Sequence, residues 1–364
     1  MSTRNEGKSA ASAPPNRGAV WEEHPRRDPA EPVSPLLRAG HVAFLFPSQG
    51  SEQPAMPASL LSALGEDEAA GCKATIGCSA ERLLAHAERV AAAGGPAGLG
   101  DEVLVQAAMH LCAMLALRCL RRTLPPPAAV LGYSSGVYAA LSAAGCLSFA
   151  DGLRCVWRAG ELLSAAAMAG PRSGMTAVIG VPPEKLADAV ARACGSAPGQ
   201  GAQGTLVISH WNASRQHILA GDVESLSRAE AVLANHGALA IKRLPYRLAY
   251  HSPLVHEAAA AFAQFASTLE IGDPEVPVID AAAVRVLLSR AEIREYLARQ
   301  LAAPVRFADS VAMLAAQGCL TYCEVGPGQN LGRLVRWTDR RARVLSCGDT
   351  PEIQRAVEIL GQPA

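Results

Sequence analysis

The sequence predicts an α/β fold in which a mostly parallel sheet is interrupted by a small ferredoxin-like insert. Short apolar runs alternate with longer segments of helical periodicity, the pattern of a sheet covered by helices. Between residues 173 and 246 the order becomes β-α-β-β-α-β, as in a ferredoxin-like unit. We therefore expect a core formed by residues 41–172 and 247–364, and an inserted subdomain formed by residues 173–246.

The composition is that of a globular protein. Half of the 364 residues are hydrophobic, and Lys+Arg and Asp+Glu both number 33. Neither the charge balance nor the 4% aromatic content favours nucleic acid or anionic lipid as a partner. Uninterrupted apolar runs stay below the about 20 residues of a membrane helix, and the N-terminus lacks the apolar region of a secretory signal. We expect a cytoplasmic protein without a nucleic-acid or membrane partner.

Two further features bear on domain organisation and metal binding. Residues 1–40 are rich in Pro, Ser, Arg and Glu and lack periodicity, so we expect a disordered extension. The ten cysteines are scattered without C-x-x-C spacing, and no matching histidine pair follows Cys319 and Cys323. We expect no metal site, and reduced thiols that act as small core residues.

The elements before the insert can be justified one by one. A first strand, His41–Phe46, ends at Pro47 and the polar loop PSQGS. Residues 101–122 have helical apolar spacing and end in basic side chains, which suit a helix C-terminus. A strand in PPPAAVLG leads through GYSSG into a helix at 137–145, and Ser148 is a plausible N-cap for a further helix at 148–167.

The same reasoning gives the remaining elements. Within the insert, strands are expected in 175–181, in 239–246 and twice in 204–221, with helices in 182–194 and 223–237. After the insert, strands are expected in 276–282 and 321–328, and helical units in 291–301, 310–318 and 331–337.

The segment GYSSG places Ser134 between a strand and a helix. Its glycines let the backbone approach neighbouring elements, and the helix N-terminus favours negative charge near the hydroxyl. Ser134 is therefore a candidate nucleophile, with a Gly-flanked turn and a serine cap as the alternative. A nucleophile needs a base: His251 precedes Ser-Pro at a chain reversal, whereas His256 falls in the following amphipathic helix, where a surface histidine is expected.

Several segments together resemble one family. In order between about residues 41 and 337, they are similar to motifs of the malonyl-CoA:acyl carrier protein transacylases and the related acyltransferase domains of polyketide synthases. The segments are FLFPSQGS, LVQAAM, GYSSGVYAALSAAGCLSFADGLRCV, YHSPLV, RQLAAPVRF and YCEVGPGQNLGRLV. The resemblance implies a hydrolase-like core with the ferredoxin-like insert already expected.

The resemblance also implies a reaction. Ser134 would be the acylated nucleophile and His251 its general base, oriented by a backbone carbonyl near Ala281. The substrate would be an acyl thioester on coenzyme A or on phosphopantetheine, and the acceptor an acyl carrier protein. No permanently bound cofactor is implied, and a monomer is expected.

Further pocket residues follow from the same motifs. Gln49 would border an oxyanion site formed by backbone N–H groups of its loop and of Ser135. Gln106 and Asn212 match two polar residues of the family's cleft.

The sequence departs from the family pattern at three positions around the nucleophile. Tyr133 stands where the family usually has His, Ser48 replaces a Gly, and His210 stands where Asn is usual.

A fourth departure concerns the substrate. The family holds the free carboxylate of malonyl groups with an arginine, and Ala159 occupies that position. A methyl group cannot replace a bidentate guanidinium. Arg158 is adjacent, but one residue turns a helix by ~100°, so only a register slip would bring it into the pocket. We expect an acyl group without a free carboxylate, in a pocket also shaped by Tyr250 and Leu248.

Four functions remain open at this stage. The leading one transfers a non-carboxylated acyl or aminoacyl-type group; a malonyl transacylase with a rearranged carboxylate site, an acyl hydrolase and an inactive carrier-binding scaffold are the alternatives. An acidic carrier protein could dock on either of two basic surfaces, or both could be merely solvated. These surfaces consist of Arg118, Arg121 and Arg122, or of Arg333, Arg336, Arg340 and Arg341.

Overall fold

The computed structural model describes residues 42–51, 59–194 and 204–361. The extension expected at residues 1–40 lies outside the described residues, as does His41. The strands are β1 Val42–Phe46, β2 Ala129–Gly132, β3 Ser173–Ile179, β4 Leu206–Ala213, β5 Gln216–Asp222, β6 Ala240–Arg243, β7 Val278–Asp280, β8 Arg285–Leu287, β9 Thr321–Val325 and β10 Arg343–Cys347.

The helices surround these strands. They are α1 Glu66–Ile76, α2 Ala80–Ala92, α3 Leu99–Arg121, α4 Gly136–Ala143, α5 Phe149–Ala169, α6 Pro183–Ala193, α7 Val223–Asn235, α8 His256–Ser267, α9 Arg290–Arg299, α10 Phe307–Ala316, α11 Asn330–Thr338 and α12 Thr350–Leu360. Short 3₁₀ turns cover Leu61–Ala63 and Pro253–Val255.

The larger sheet has six strands in the order β10-β9-β1-β2-β7-β8. Its neighbours are parallel except at the edge, where β7 and β8 pair antiparallel. β1 and β2 lie at its centre, and all four residues of β2 are buried, as expected for a strand covered on both faces. The carboxyl ends of β1 and β2 therefore meet at one edge, where ligands bind in open α/β sheets.

The smaller sheet confirms the ferredoxin-like arrangement. Its four strands are antiparallel in the order β4-β5-β3-β6, with α6 between β3 and β4 and α7 between β5 and β6. All four strands fall within residues 173–246. The domain boundaries at 172 and 246 remain a prediction.

The central helix α3 is apolar and long enough, by length and composition, to cross a membrane. However, 78% of its most apolar stretch is buried inside the fold, where it packs against α2 and α5. α3 is therefore a core helix, and its N-terminal half carries Glu102 and Gln106 towards the site described next.

A short bridge joins the small sheet to the core. The Trp211 N–H of β4 donates to the Val305 carbonyl at 2.9 Å, and the Val305 N–H donates to the Ser209 carbonyl at 2.8 Å. Val305 lies in the loop between α9 and α10. The bridge therefore attaches the small sheet to a loop of the core, and residues of both parts line one cleft.

Candidate active site

Ser134 sits on a strained turn between β2 and α4. Its φ is 52°, in the left-handed region that residues other than glycine rarely adopt. The flanking glycines are required by close packing: a Cβ on Gly136 would lie 2.1 Å from the Phe46 carbonyl oxygen, and one on Gly132 would lie 2.3 Å from the Val137 Cα. The turn therefore presses against β1 and projects the Ser134 side chain into the cleft.

Ser134 and His251 form a hydrogen-bonded pair. Ser134 Oγ lies 2.9 Å from His251 Nε2, and His251 Nδ1 lies 2.8 Å from the Ala303 carbonyl oxygen. Because a carbonyl only accepts, Nδ1 carries the hydrogen and Nε2 presents its lone pair to Ser134. Burial lowers the pKa of His251 to about 4, so the imidazole is neutral and able to accept a proton at pH 7.

The carbonyl that orients His251 was predicted near Ala281, and this was wrong. The Ala281 carbonyl instead accepts the Arg306 N–H at 2.7 Å. The bridge through Val305 holds the α9–α10 loop against β4, which brings Ala303 rather than Ala281 to the histidine. A backbone carbonyl does orient His251, as expected, but it belongs to Ala303.

The predicted oxyanion residues border the nucleophile. Ser135 is the N-cap of α4 and lines the cleft together with Gln49. No acceptor among the described residues takes the Ser135 N–H, so it is available to a developing oxyanion. The opposite loop is held by Asn330, whose amide donates to the Gly50 carbonyl at 2.7 Å.

Hydrogen-bonded polar side chains form the wall of the cleft next to α3. The Gln106 amide donates to Gln49 Oε1 at 2.5 Å, and the Tyr250 hydroxyl donates to the Glu102 carboxylate. Glu102 is only 3% exposed, and burial raises its pKa against the hydrogen bonds from Tyr250 and Gln49. Sequence reasoning missed Glu102, although it stands one helical turn before Gln106 on the same face of α3.

Three predicted substrate-binding residues pack as one wall. The Tyr133 hydroxyl donates to Asn212 Oδ1 at 2.8 Å, and the Tyr133 ring lies 5.3 Å from the His210 ring. His210 in turn packs edge-on against His251, with ring centroids 4.9 Å apart. Burial lowers the pKa of His210 well below its usual value, so no second positive charge stands beside His251 at neutral pH. Tyr133 and His210, two departures from the family, therefore contact each other.

Ala159 lies where the sequence placed it, in the wall of the cleft. It is buried at 1% exposure and lines the cleft with Leu163, one turn further along α5. Arg158 faces solvent, where it pairs with Glu161 at 3.0 Å. Because α5 is uninterrupted, the register slip that would bring Arg158 into the pocket is not present. Leu248 packs in the main core and is not among the lining residues, which corrects its predicted role.

The cleft has a volume of about 390 Å³. Its mouth includes Arg333 and the exposed Trp337 of α11. Within the described ranges, no group of three or more His, Cys, Asp or Glu side chains could hold a metal ion. The chemistry that these residues can supply is that of a serine nucleophile with a histidine base.

Comparisons with known proteins show the family of the chain. The model of the acyl transferase domain family matches residues 43–358. The malonyl CoA-acyl carrier protein transacylase of Bacillus subtilis is 29% identical over 320 residues, which cover 88% of this chain and 97% of that protein.

Solved structures show the same fold. The transacylase of Coxiella burnetii has a TM-score of 0.78 at 26% identity, covering 91% of this chain and 100% of that one. A malonyl-transacylase solved in complex with its type II polyketide synthase acyl-carrier protein has a TM-score of 0.76 at 28% identity, covering 88% and 99%. The resemblance read from the sequence motifs is thus confirmed, and this chain belongs to the acyl transferase domain family, as an acyltransferase of the malonyl-CoA:acyl carrier protein transacylase type.

Proposed function

We propose that this enzyme transfers a non-carboxylated acyl group from a thioester to an acyl carrier protein through an ester on Ser134. One observation supports the choice of acyl group: the cleft wall at Ala159 and Leu163 is apolar, and Arg158, the guanidinium next to Ala159, faces solvent in its ion pair with Glu161. Arg333 also lines the cleft, but it belongs to α11 at the mouth and not to this wall. An apolar wall favours uncharged acyl chains, because a carboxylate buried there without a cation loses its hydration uncompensated.

The first half-reaction acylates Ser134. His251 Nε2 accepts the hydroxyl proton while Oγ attacks the thioester carbonyl. The oxyanion is stabilised by the Ser135 N–H and by the Gln49 loop, and the Ala303 carbonyl stabilises the imidazolium through Nδ1–H. As the tetrahedral intermediate collapses, the C–S bond breaks and the imidazolium returns its proton to the leaving thiolate.

The second half-reaction transfers the acyl group from Ser134 to a different thiol, through the same steps in reverse order. The phosphopantetheine thiol of the carrier protein gives its proton to His251 as its sulfur attacks the ester carbonyl. The C–O bond then breaks and Ser134 recovers the proton. Water in place of the thiol would make the protein a hydrolase, so the ester must be kept from solvent.

Loading of Ser134 tests the proposal. The protein is incubated with malonyl-, acetyl- and butyryl-CoA, and its intact mass is measured, with Ser134→Ala as the control that accepts no acyl group. We expect butyryl or acetyl adducts to form faster than malonyl. Malonyl loading as fast as the others would instead establish a malonyl transacylase with a rearranged carboxylate site. Rapid loss of the adduct without a carrier protein would establish the hydrolase.

The partner follows from the relatives. One similar transacylase was solved with a type II polyketide synthase acyl-carrier protein, and we propose a carrier protein as the acceptor here. Of the two basic surfaces, Arg333 lies at the cleft mouth, whereas Arg118 pairs with Glu68 and Arg121 donates to the Ala143 carbonyl at the far end of α3. We propose docking at the mouth, by a cytoplasmic monomer that holds no permanent cofactor.

A further inference from the structure

The hydrogen bonds behind the acyl pocket all run in one direction. The Gln106 amide donates to Gln49 Oε1, so the nitrogen of the Gln49 amide is the group left to donate. The Gln49 side chain lowers the pKa of both Glu102 and Tyr250, as a donor to these two groups does, and the Tyr250 hydroxyl donates to Glu102. The donors of this wall thus converge on Glu102 and away from the cleft.

The cleft therefore faces acceptors on this side. Gln49, Gln106 and Tyr250 line the cleft, whereas Glu102 lies directly behind them and is 3% exposed. A hydroxyl that donates to a carboxylate becomes a better acceptor, because hydrogen bonds in a chain polarise one another. The oxygen of Tyr250 is accordingly suited to accept a hydrogen bond from a bound substrate.

The charge of Glu102 is not neutralised nearby. Among the described residues Glu102 is bonded to the Tyr250 hydroxyl rather than paired with a cation, and the attraction of Arg247 is the weakest of the influences on its pKa. Burial raises the pKa of Glu102, and the donors Tyr250 and Gln49 oppose this by favouring the ionised carboxylate. Ala159 and Leu163, which also line the cleft, add no polar side-chain group. A carboxylate at this end of the cleft would meet acceptors and a negative charge; a cation would meet complementary groups.

We propose that Glu102 sets the charge selectivity of the acyl site, and that the preferred acyl group carries a protonated amine, as in an aminoacyl thioester. The ammonium group donates to Tyr250 and the glutamine oxygens, within the field of Glu102. The inference rests on the proposed acyl transfer through Ser134 and adds the substrate class to it.

Three thioesters of similar size but different charge test the proposal. Malonyl-, propionyl- and β-alanyl-CoA carry a terminal carboxylate, methyl and ammonium group, respectively. The rate of Ser134 acylation is measured by intact mass for the native protein, for Glu102→Gln, and for Glu161→Gln as a matched exposed control. Ratios of rates within one variant do not depend on the fraction of protein that is folded, so a partly misfolded variant still reports selectivity.

We expect β-alanyl to load fastest and malonyl slowest in the native protein. Glu102→Gln should lower the β-alanyl-to-malonyl ratio by about tenfold or more, and Glu161→Gln should leave it unchanged. The proposal is overturned if propionyl loads faster than β-alanyl, if Glu102→Gln leaves the ratio unchanged, or if it slows malonyl loading selectively, since Glu102 would then share a proton with the malonyl carboxylate. Absence of any adduct on Ser134 would instead refute the proposed function itself.

Discussion

His251 donates from Nδ1 to the backbone carbonyl of Ala303, so its orienting partner is a neutral dipole rather than a carboxylate. A carboxylate there would stabilise the imidazolium and raise the pKa of the histidine. With a carbonyl in that place, burial is the largest influence on the pKa of His251 and lowers it to about 4. The base is therefore unprotonated over the whole neutral range.

The first prediction concerns the pH dependence of acylation. The single-turnover rate should be flat between about pH 6 and 8 and should fall on the acid side with a midpoint near 4, because the proton on His251 blocks attack by Ser134. His256→Gln, which changes an exposed histidine on α8, should give the same profile. A midpoint near 6.5, the ordinary value for histidine, would contradict the buried neutral base.

The same pKa predicts a pH dependence of stability. His251 binds its proton more weakly in the folded chain than in the unfolded one, so its contribution is fully present above the unfolded pKa of about 6.5 and is lost as pH falls towards 4. The native protein should lose up to about 3 kcal/mol more unfolding free energy than His251→Gln between pH 7 and pH 4. Urea unfolding at both pH values measures this, and equal losses in the two proteins would refute it.

The third prediction concerns the missing guanidinium. Ala159→Arg should place a cation in the cleft and raise malonyl loading at least tenfold, while loading of uncharged acyl groups falls because the new side chain fills the pocket. Arg158→Ala serves as the control, since its guanidinium pairs with Glu161 on the solvent face and should not affect loading. Malonyl loading that does not respond to Ala159→Arg would show that the carboxylate site lies elsewhere.

Local patterns accounted for most of the fold. The strands and helices around GYSSG, and the cap at Ser148, were read correctly because buried parallel strands and capped helices are encoded within a few residues. α1, α2, β8, β10 and α12 were missed. β8 and β10 are edge strands of three and five residues with exposed or half-buried arginines, so pairing partners far along the chain, rather than local periodicity, define them.

The candidate site was predicted less completely. Ser134 and His251 were found because each sits in a recognisable motif. Ala303 was missed because its position depends on the bridge between Val305 and β4, a contact between residues almost 100 positions apart. Glu102 was missed because its importance comes from a hydrogen bond to Tyr250, 148 positions away.

The fourth prediction concerns the tight turn at the nucleophile. Gly136→Ala places a Cβ against the Phe46 carbonyl and should reduce the unfolding free energy by about 3 kcal/mol and abolish Ser134 acylation, because the turn must move away from β1. Gly100→Ala in α3 is the matched control: a Cβ there meets nothing within 4 Å, so it should stabilise the protein by about 0.5–1 kcal/mol. Urea unfolding and intact-mass loading measure both effects.

The last prediction concerns docking of the carrier protein. Arg333→Glu reverses a charge beside the exposed Trp337 at the cleft mouth and should slow transfer to an acidic carrier about tenfold at low salt, with a smaller effect at high salt. Loading should be assayed with an acyl-N-acetylcysteamine thioester, which lacks the phosphates of coenzyme A and so separates docking from substrate charge. Arg122→Glu, about 24 Å along α3 from Gln106, is the matched control. If Arg122→Glu slowed transfer and Arg333→Glu did not, the carrier would dock at the far end of α3.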